Sequence, residues 1–130
     1  MAIIYRLVQD RREASAYRGQ WFARAVNMRT VETDELAALI ERNCTVKRSD
    51  VLAVLTELGD VVRQQLASSH RVRLKGIGSF MAGIGNARGA ATPADFGVGQ
   101  VRELHLCFTP ERDLLPQSTP LAPLPPNAPG

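Results

Sequence analysis

The sequence predicts an α+β protein, with two helices in the middle of the chain and strands toward both ends. Three observations carry this. Residues 72–80 read Val-Arg-Leu-Lys-Gly-Ile-Gly-Ser-Phe. Val72 and Leu74 alternate with Arg73 and Lys75, the period of a half-buried strand, and Gly76 and Gly78 mark a tight turn or close backbone approach before a new strand begins at Ser79. Residues 49–68 place Val51, Leu55, Leu58, Val62 and Leu66 at helical spacing. Charge is segregated in the same way. Residues 1–30 hold six Arg against Asp10 and Glu13, residues 31–70 hold four bases against seven acids, and residues 71–115 hold six bases against four acids. Basic strand-rich ends around an acidic helical middle suit a face that meets a polyanion.

In chain order, Ile3 to Gln9 reads as a strand with apolar residues on both sides, and Gln20 to Asn27 as a second. The polar stretch from Asp10 to Gln20 joins them as a long-looped hairpin. Thr33-Asp34-Glu35 opens a helix: a hydroxyl can accept from a free backbone N–H, and two acids sit at the positive end of the helix dipole. Leu36, Ala37, Leu39 and Ile40 form its apolar stripe, and it ends near Asn43 and Cys44. The second helix takes its cap from Ser49 or Thr45. Val54 and Val61 widen its stripe, which calls for burial against more than one surface.

Five glycines between Gly83 and Gly99 predict a flexible excursion, with Thr92 to Phe96 as a turn or a single helical turn. Val101 to Phe108 returns as a strand, and Thr109-Pro110 opens a short closing helix to Leu115. Six of the eight prolines fall in residues 116–130, which predicts an extended or disordered tail. The domain reading is a hairpin at 1–30, a main domain at 31–115 and this tail.

A net charge of +3, 45% hydrophobic and 22% charged residues are ordinary for a globular domain. No apolar run approaches the roughly eighteen residues of a membrane helix, and no signal segment opens the chain, so the expectation is a cytoplasmic protein. Cys44 and Cys107 show no metal-ligand spacing to each other, to His70 or to His105. They read as free thiols, with a disulfide or zinc site as the sharper alternatives. No phosphate loop, metal-hydrolase motif or nucleophile elbow is present, so neither catalysis nor a cofactor is expected.

The turn Gly76-Ile77-Gly78-Ser79-Phe80 resembles the Gly-Phe-Gly-Thr-Phe signature of the HU and integration host factor family. Phe108-Thr109-Pro110 matches that family's Phe-x-Pro, and the order of elements from residue 34 onward follows an HU-type subunit over roughly residues 33–115. The opening Met-Ala-Ile-Ile-Tyr-Arg-Leu-Val is similar to the first strand of longer HU-like proteins of the Bacteroidetes type. The resemblance implies an intertwined homodimer, with a helical core under three-stranded antiparallel sheets and an extra N-terminal hairpin. It further implies a bacterial, histone-like, nucleoid-associated protein that binds, and in the family bends, double-stranded DNA without sequence specificity. No membrane or small-molecule partner is implied.

The resemblance assigns DNA contact to ten residues. Arg71, Arg73 and Lys75 line the saddle and meet phosphates; Gly76, Gly78 and Ser79 bring backbone close. Arg88 stands on the arm, Pro93 is the wedge that kinks the duplex, and Arg102 and Arg112 complete the set. Each has a plainer reading: a solvated strand face for the cations, a structural turn for the glycines, and a turn proline for Pro93. Tyr5, Trp21 and Phe22 have the spacing of core aromatics, with base stacking as the alternative. The arm departs from the family in carrying Asp95 beside Pro93 and few cations, and Glu111 stands where a basic residue is usual. Two function classes therefore stand side by side: architectural DNA binding, and an HU-derived assembly module with weakened DNA contact.

Overall fold

In the computed structural model, which describes residues 1–126, the chain divides into two units, each with its own three-stranded sheet. One unit is Met1–Glu32 with the chain from Leu115 onward; the other is Thr33–Leu114.

The larger unit begins with helix α1, Thr33–Asn43, with Asp34 and Glu35 in its first turn and Arg42 in its last, both favourable to the helix dipole. Helix α2, Arg48–Ala67, packs on it. Neither Ser49 nor Thr45 caps α2. Lys47 occupies the cap position without a side-chain bond, and the carboxylate of Glu41, on α1, accepts the Arg48 N–H at 2.6 Å. The cap is thus supplied across the helix pair, where a search of the adjacent sequence cannot find it. At the far end Ser69 takes a left-handed conformation, φ 64°, and the His70 N–H donates to Gln65 C=O at 3.0 Å. This closes the helix as a glycine usually would.

Strands β1 (Ile3–Gln9) and β2 (Trp21–Ala25) belong to the smaller unit. In the larger one, β3 (Val72–Leu74), β4 (Gly78–Asn86) and β5 (Val101–Pro110) form an antiparallel sheet in that order. β4 and β5 make a long ribbon with a bulge at Gly85/Asn86. Gly83 and Gly85 thus belong to a strand, where a flexible excursion was expected. A Cβ on Gly83 would collide with the His105 ring, and one on Gly85 would lie 3.0 Å from the Glu103 side chain, so these glycines let partner side chains lie over β4. The ribbon ends in two short 3-10 turns, Pro93–Asp95 and Val98–Gln100, held by Ala87 N–H donating to Gln100 C=O at 2.9 Å and Gln100 Nε2 donating to Gly89 C=O at 3.0 Å.

The closing helix predicted from Thr109-Pro110 does not form. Both residues finish β5 opposite Ser79 and Gly78, and residues 112–115 form a turn and a bend. Only five residues separate Pro110 from Pro116, and the second proline biases Leu115 away from helical backbone.

Among the described residues only Ala37 and Val51 are buried apolar side chains. The stripe Leu55, Leu58, Val62 and Leu66 is half-buried, while Val54 is 64% exposed and Leu36, Leu39, Ile40 and Val61 are also open. The α1–α2 pair and its sheet leave their apolar surfaces only partly covered.

In the smaller unit β1 is central, antiparallel to β2 and parallel to β6 (Leu121–Pro123). The tail is therefore not disordered throughout. Ile3 N–H donates to Pro120 C=O at 2.8 Å, and Leu124 N–H donates to Tyr5 C=O at 2.9 Å. Its prolines limit it to a three-residue edge strand, because Pro123 has no N–H to give. Residues 127–130 of the predicted tail lie outside the described residues. No helix among the described residues is long and apolar enough to cross a membrane.

Candidate nucleic-acid interface

Alternation along β3, β4 and β5 sorts side chains onto two faces. Cross-strand register places Val72, Phe80 and Phe108 in one row, followed by Ala82 with Leu106 and Ile84 with Leu104. The Phe80 and Phe108 rings sit 4.9 Å apart. This face is apolar. The opposite face carries Arg73, Ser79 and Thr109 in one row, then Met81 with Cys107, Gly83 with His105, and Gly85 with Glu103.

The cations foreseen from sequence fall into two groups. Arg71 precedes β3, Arg73 lies within it, and Lys75 stands in the turn to β4; all three are exposed. Arg112 follows β5 at the same end of the sheet, because Glu111 N–H donates to Ile77 C=O at 2.8 Å and ties that segment to the turn. Arg88 and Pro93 lie in the ribbon connection, and Arg102 sits beside the bulge. The fold gathers the first four and holds the other three at the opposite end of the ribbon.

Electrostatics weaken two of these positions. Arg73 Nε lies 3.8 Å from Glu111 Oε1, an exposed and loose pair, and Arg102 Nη2 donates to Glu103 Oε1 at 3.2 Å. At the ribbon end Thr92 Oγ1 donates to Asp95 Oδ2 at 2.9 Å, fixing a carboxylate beside Pro93. Exposed pairs of this kind are worth little energetically, so Arg73 can exchange its partner for a phosphate at small cost. The carboxylate beside Pro93 opposes any approach of phosphate there.

The glycines divide as well. Gly76 has φ +85° in the turn closed by Ile77 N–H to Leu74 C=O at 3.0 Å, a conformation that requires glycine. A Cβ on Gly78 would lie 2.5 Å from Thr109 C=O and 2.7 Å from the Phe108 ring, so packing of β4 on β5 accounts for it. Ser79 is only 7% exposed, which leaves Arg73 and Thr109 as the surface-facing members of their row. Sequence reasoning alone passes over Thr109 and His105, although the signal is there: both share the parity of Ser79 in the register.

No group of His, Cys, Asp or Glu among the described residues has the arrangement of a metal site, and Cys44 and Cys107 are free thiols.

Helix pair, Gly-x-Gly turn, three-stranded sheet and projecting ribbon define an HU-type subunit extended by a small second sheet. The chain belongs to the HU-HIG family, described as an HU domain fused to wHTH, Ig or a glycine-rich motif, which it matches over residues 1–120. Among solved structures it is similar to a Bacteroides vulgatus ATCC 8482 protein provisionally described as a bacterial DNA-binding protein (TM-score 0.67, 15% identity, 95% of this chain and 48% of that one). The chain thus spans about half the length of that neighbour. It is also similar to HU of Anabaena crystallised with DNA (TM-score 0.48, 21% identity, 62% of this chain and 89% of that one). No curated protein matches it.

Proposed function

We propose that this chain is an HU-type DNA-binding protein that works as a homodimer and holds double-stranded DNA through its phosphates, without reading sequence. The observation that carries this is the two-faced sheet. Its apolar face, continuous with open apolar side chains on α1 and α2, suits a second copy of the chain. Its other face and near edge bring Arg71, Arg73, Lys75 and Arg112 to one end, where charge-assisted bonds to phosphate are available. The HU-like part occupies residues 31–115, with the hairpin of residues 1–30 as an addition, and the place of action is the cytoplasmic nucleoid. The role is binding rather than catalysis, and no cofactor is called for.

The ribbon contributes less than it does in the family. Pro93 begins a 3-10 turn beside Asp95, and Arg88 is the nearest cation before it. A wedge needs flanking phosphate contacts to offset the cost of unstacking, so bending through Pro93 is a minor part of the mode.

The loose Arg73–Glu111 pair, the Arg102–Glu103 pair and the acidic ribbon end favour a second reading, an assembly module that keeps the dimer and has no tight DNA contact. Titrating the full chain against a random duplex at several salt concentrations separates the two. Architectural binding gives affinity that falls linearly on a log–log plot against salt. Absence of binding at low salt would leave the assembly module.

A further inference from the structure

The smaller unit has a charge arrangement that its own fold does not explain. Register places Arg6 directly opposite Arg24 on β1 and β2, followed on the same face by Val8 opposite Phe22. Like charges directly opposite one another destabilise a sheet. Neither arginine has an acidic partner among the described residues, and Arg11, on the adjoining loop, has none either.

Beside this pair lies a cleft of about 560 Å³ whose lining includes Arg11, Arg24, Tyr17 and Phe22. The two rings meet edge to face, with centroids 6.1 Å apart, and both are open to solvent, Tyr17 at 58% and Phe22 at 47%. The one carboxylate in the lining is already engaged. Asp10 accepts from Arg12 Nε and Nη2 at 3.2 and 3.1 Å and from Ser15 Oγ at 2.7 Å, which orders the loop and leaves Arg11 and Arg24 as the uncompensated charge.

We propose that this cleft is a second nucleic-acid site, specific for an unpaired, single-stranded segment. The arginines meet the phosphates, and a splayed base stacks on the Tyr17–Phe22 pair. Exposed aromatic rings next to unpaired cations match a strand whose bases are free to stack. A duplex keeps its base faces inside the stack and cannot use the rings. An apolar protein partner would bury three unpaired guanidinium groups, which is costly.

The test uses the full chain and a fluorescein-labelled oligothymidylate of about 12 nucleotides. Inorganic polyphosphate serves as a base-free polyanion and an oligoglutamate as an acidic peptide. Phe22→Ala is expected to weaken oligonucleotide binding about fivefold or more, as removal of one stacked base requires, with polyphosphate binding unchanged. Arg24→Glu is expected to weaken both. Tyr17→Ala, in the loop and outside the sheet, repeats the stacking test if Phe22→Ala perturbs the circular dichroism spectrum. Arg73→Ala/Lys75→Ala, directed at the larger unit, is expected to keep the Phe22-dependent part of oligonucleotide binding. Unchanged oligonucleotide affinity in both aromatic variants overturns the proposal. So does binding of polyphosphate or oligoglutamate by the Arg73→Ala/Lys75→Ala variant as tight as that variant's binding of the oligonucleotide.

Discussion

The two sheets of this protein handle their surfaces in different ways. Sheet β3–β4–β5 separates its side chains: one face is a continuous apolar stripe from Val72 and Phe80 to Leu104, and the other is polar and basic near the β3–β4 turn. Sheet β2–β1–β6 mixes charged and apolar side chains on one face and leaves a largely apolar set open on the other. Arg6, Arg24, Val8 and Phe22 share one face, and Tyr5, Leu7, Trp21 and Ala23 share the other, most of them open to solvent. On the proposed reading, a second copy of the chain covers the apolar half of the first surface. The second, on the same reading, stays wet and offers its aromatic rings and guanidinium groups to a ligand. Covering the first sheet is a matter of stability; occupying the second is a matter of recognition.

The largest effect should come from breaking the covered surface. Val54→Asp, at a position 64% exposed in the single chain, is expected to dissociate the proposed homodimer at micromolar concentration and to lower the melting temperature. A charge buried without a partner commonly costs about 3 kcal/mol or more. Sedimentation or light scattering reads the mass directly. An unchanged dimer would mean that α2 presents this stripe to solvent.

Next in size is Gly78→Ala. Its Cβ would meet the Thr109 carbonyl and the Phe108 ring, so a destabilisation of about 1–3 kcal/mol is expected in thermal unfolding, from overpacking alone. A glycine kept only for phosphate approach would instead give weaker DNA affinity with stability intact.

Deleting residues 120–130 removes β6 and the bonds at Ile3 and Leu124. At about 1 kcal/mol for each net backbone hydrogen bond, the smaller unit should be destabilised by roughly 2 kcal/mol, visible as earlier hydrogen exchange at Ile3 and Tyr5. Unaltered exchange there would show that β1 and β2 hold without the third strand.

The smallest effect is acid sensitivity of the Asp10 loop. Arg12 first, then Ser15, holds the Asp10 carboxyl far below its ordinary value of 3.8. A carboxylate depressed in the folded state contributes stability that is present above its unfolded value and disappears as pH falls below it. Asp10→Asn should therefore remove part of the acid dependence of loop order below about pH 4. Identical pH profiles for the variant and the wild type would place the loop's order elsewhere.

What could be read in the sequence followed the same division. The sheet of the larger unit is built from consecutive segments, so alternation at Val72–Leu74 and the paired glycines announced it, and the helices announced themselves by the spacing of Val51, Leu55 and Leu58. What escaped depends on residues far apart in the chain. Glu41 caps a helix other than its own. β6 reaches β1 across more than a hundred residues, through a proline-rich stretch that carries no strand pattern. The closing helix failed because Pro116 acts on the residues before it. The gathering of Arg71, Arg73, Lys75 and Arg112 needed the Glu111–Ile77 bond, which no local pattern encodes. The open Phe22 ring needed the finished sheet, since its spacing is equally that of a core.

The central claim is that the basic end of sheet β3–β4–β5 holds duplex DNA by its phosphates. Its most direct test is the salt dependence of random-duplex affinity for three proteins: wild type, Arg73→Ala/Lys75→Ala, and Pro93→Ala. The double variant should bind all sequences more weakly and flatten the log–log slope by roughly 0.9 for each phosphate it no longer neutralises, while Pro93→Ala stays close to wild type. Abolished binding in Pro93→Ala, with a wild-type slope in the double variant, would move the site to the ribbon end and contradict this account.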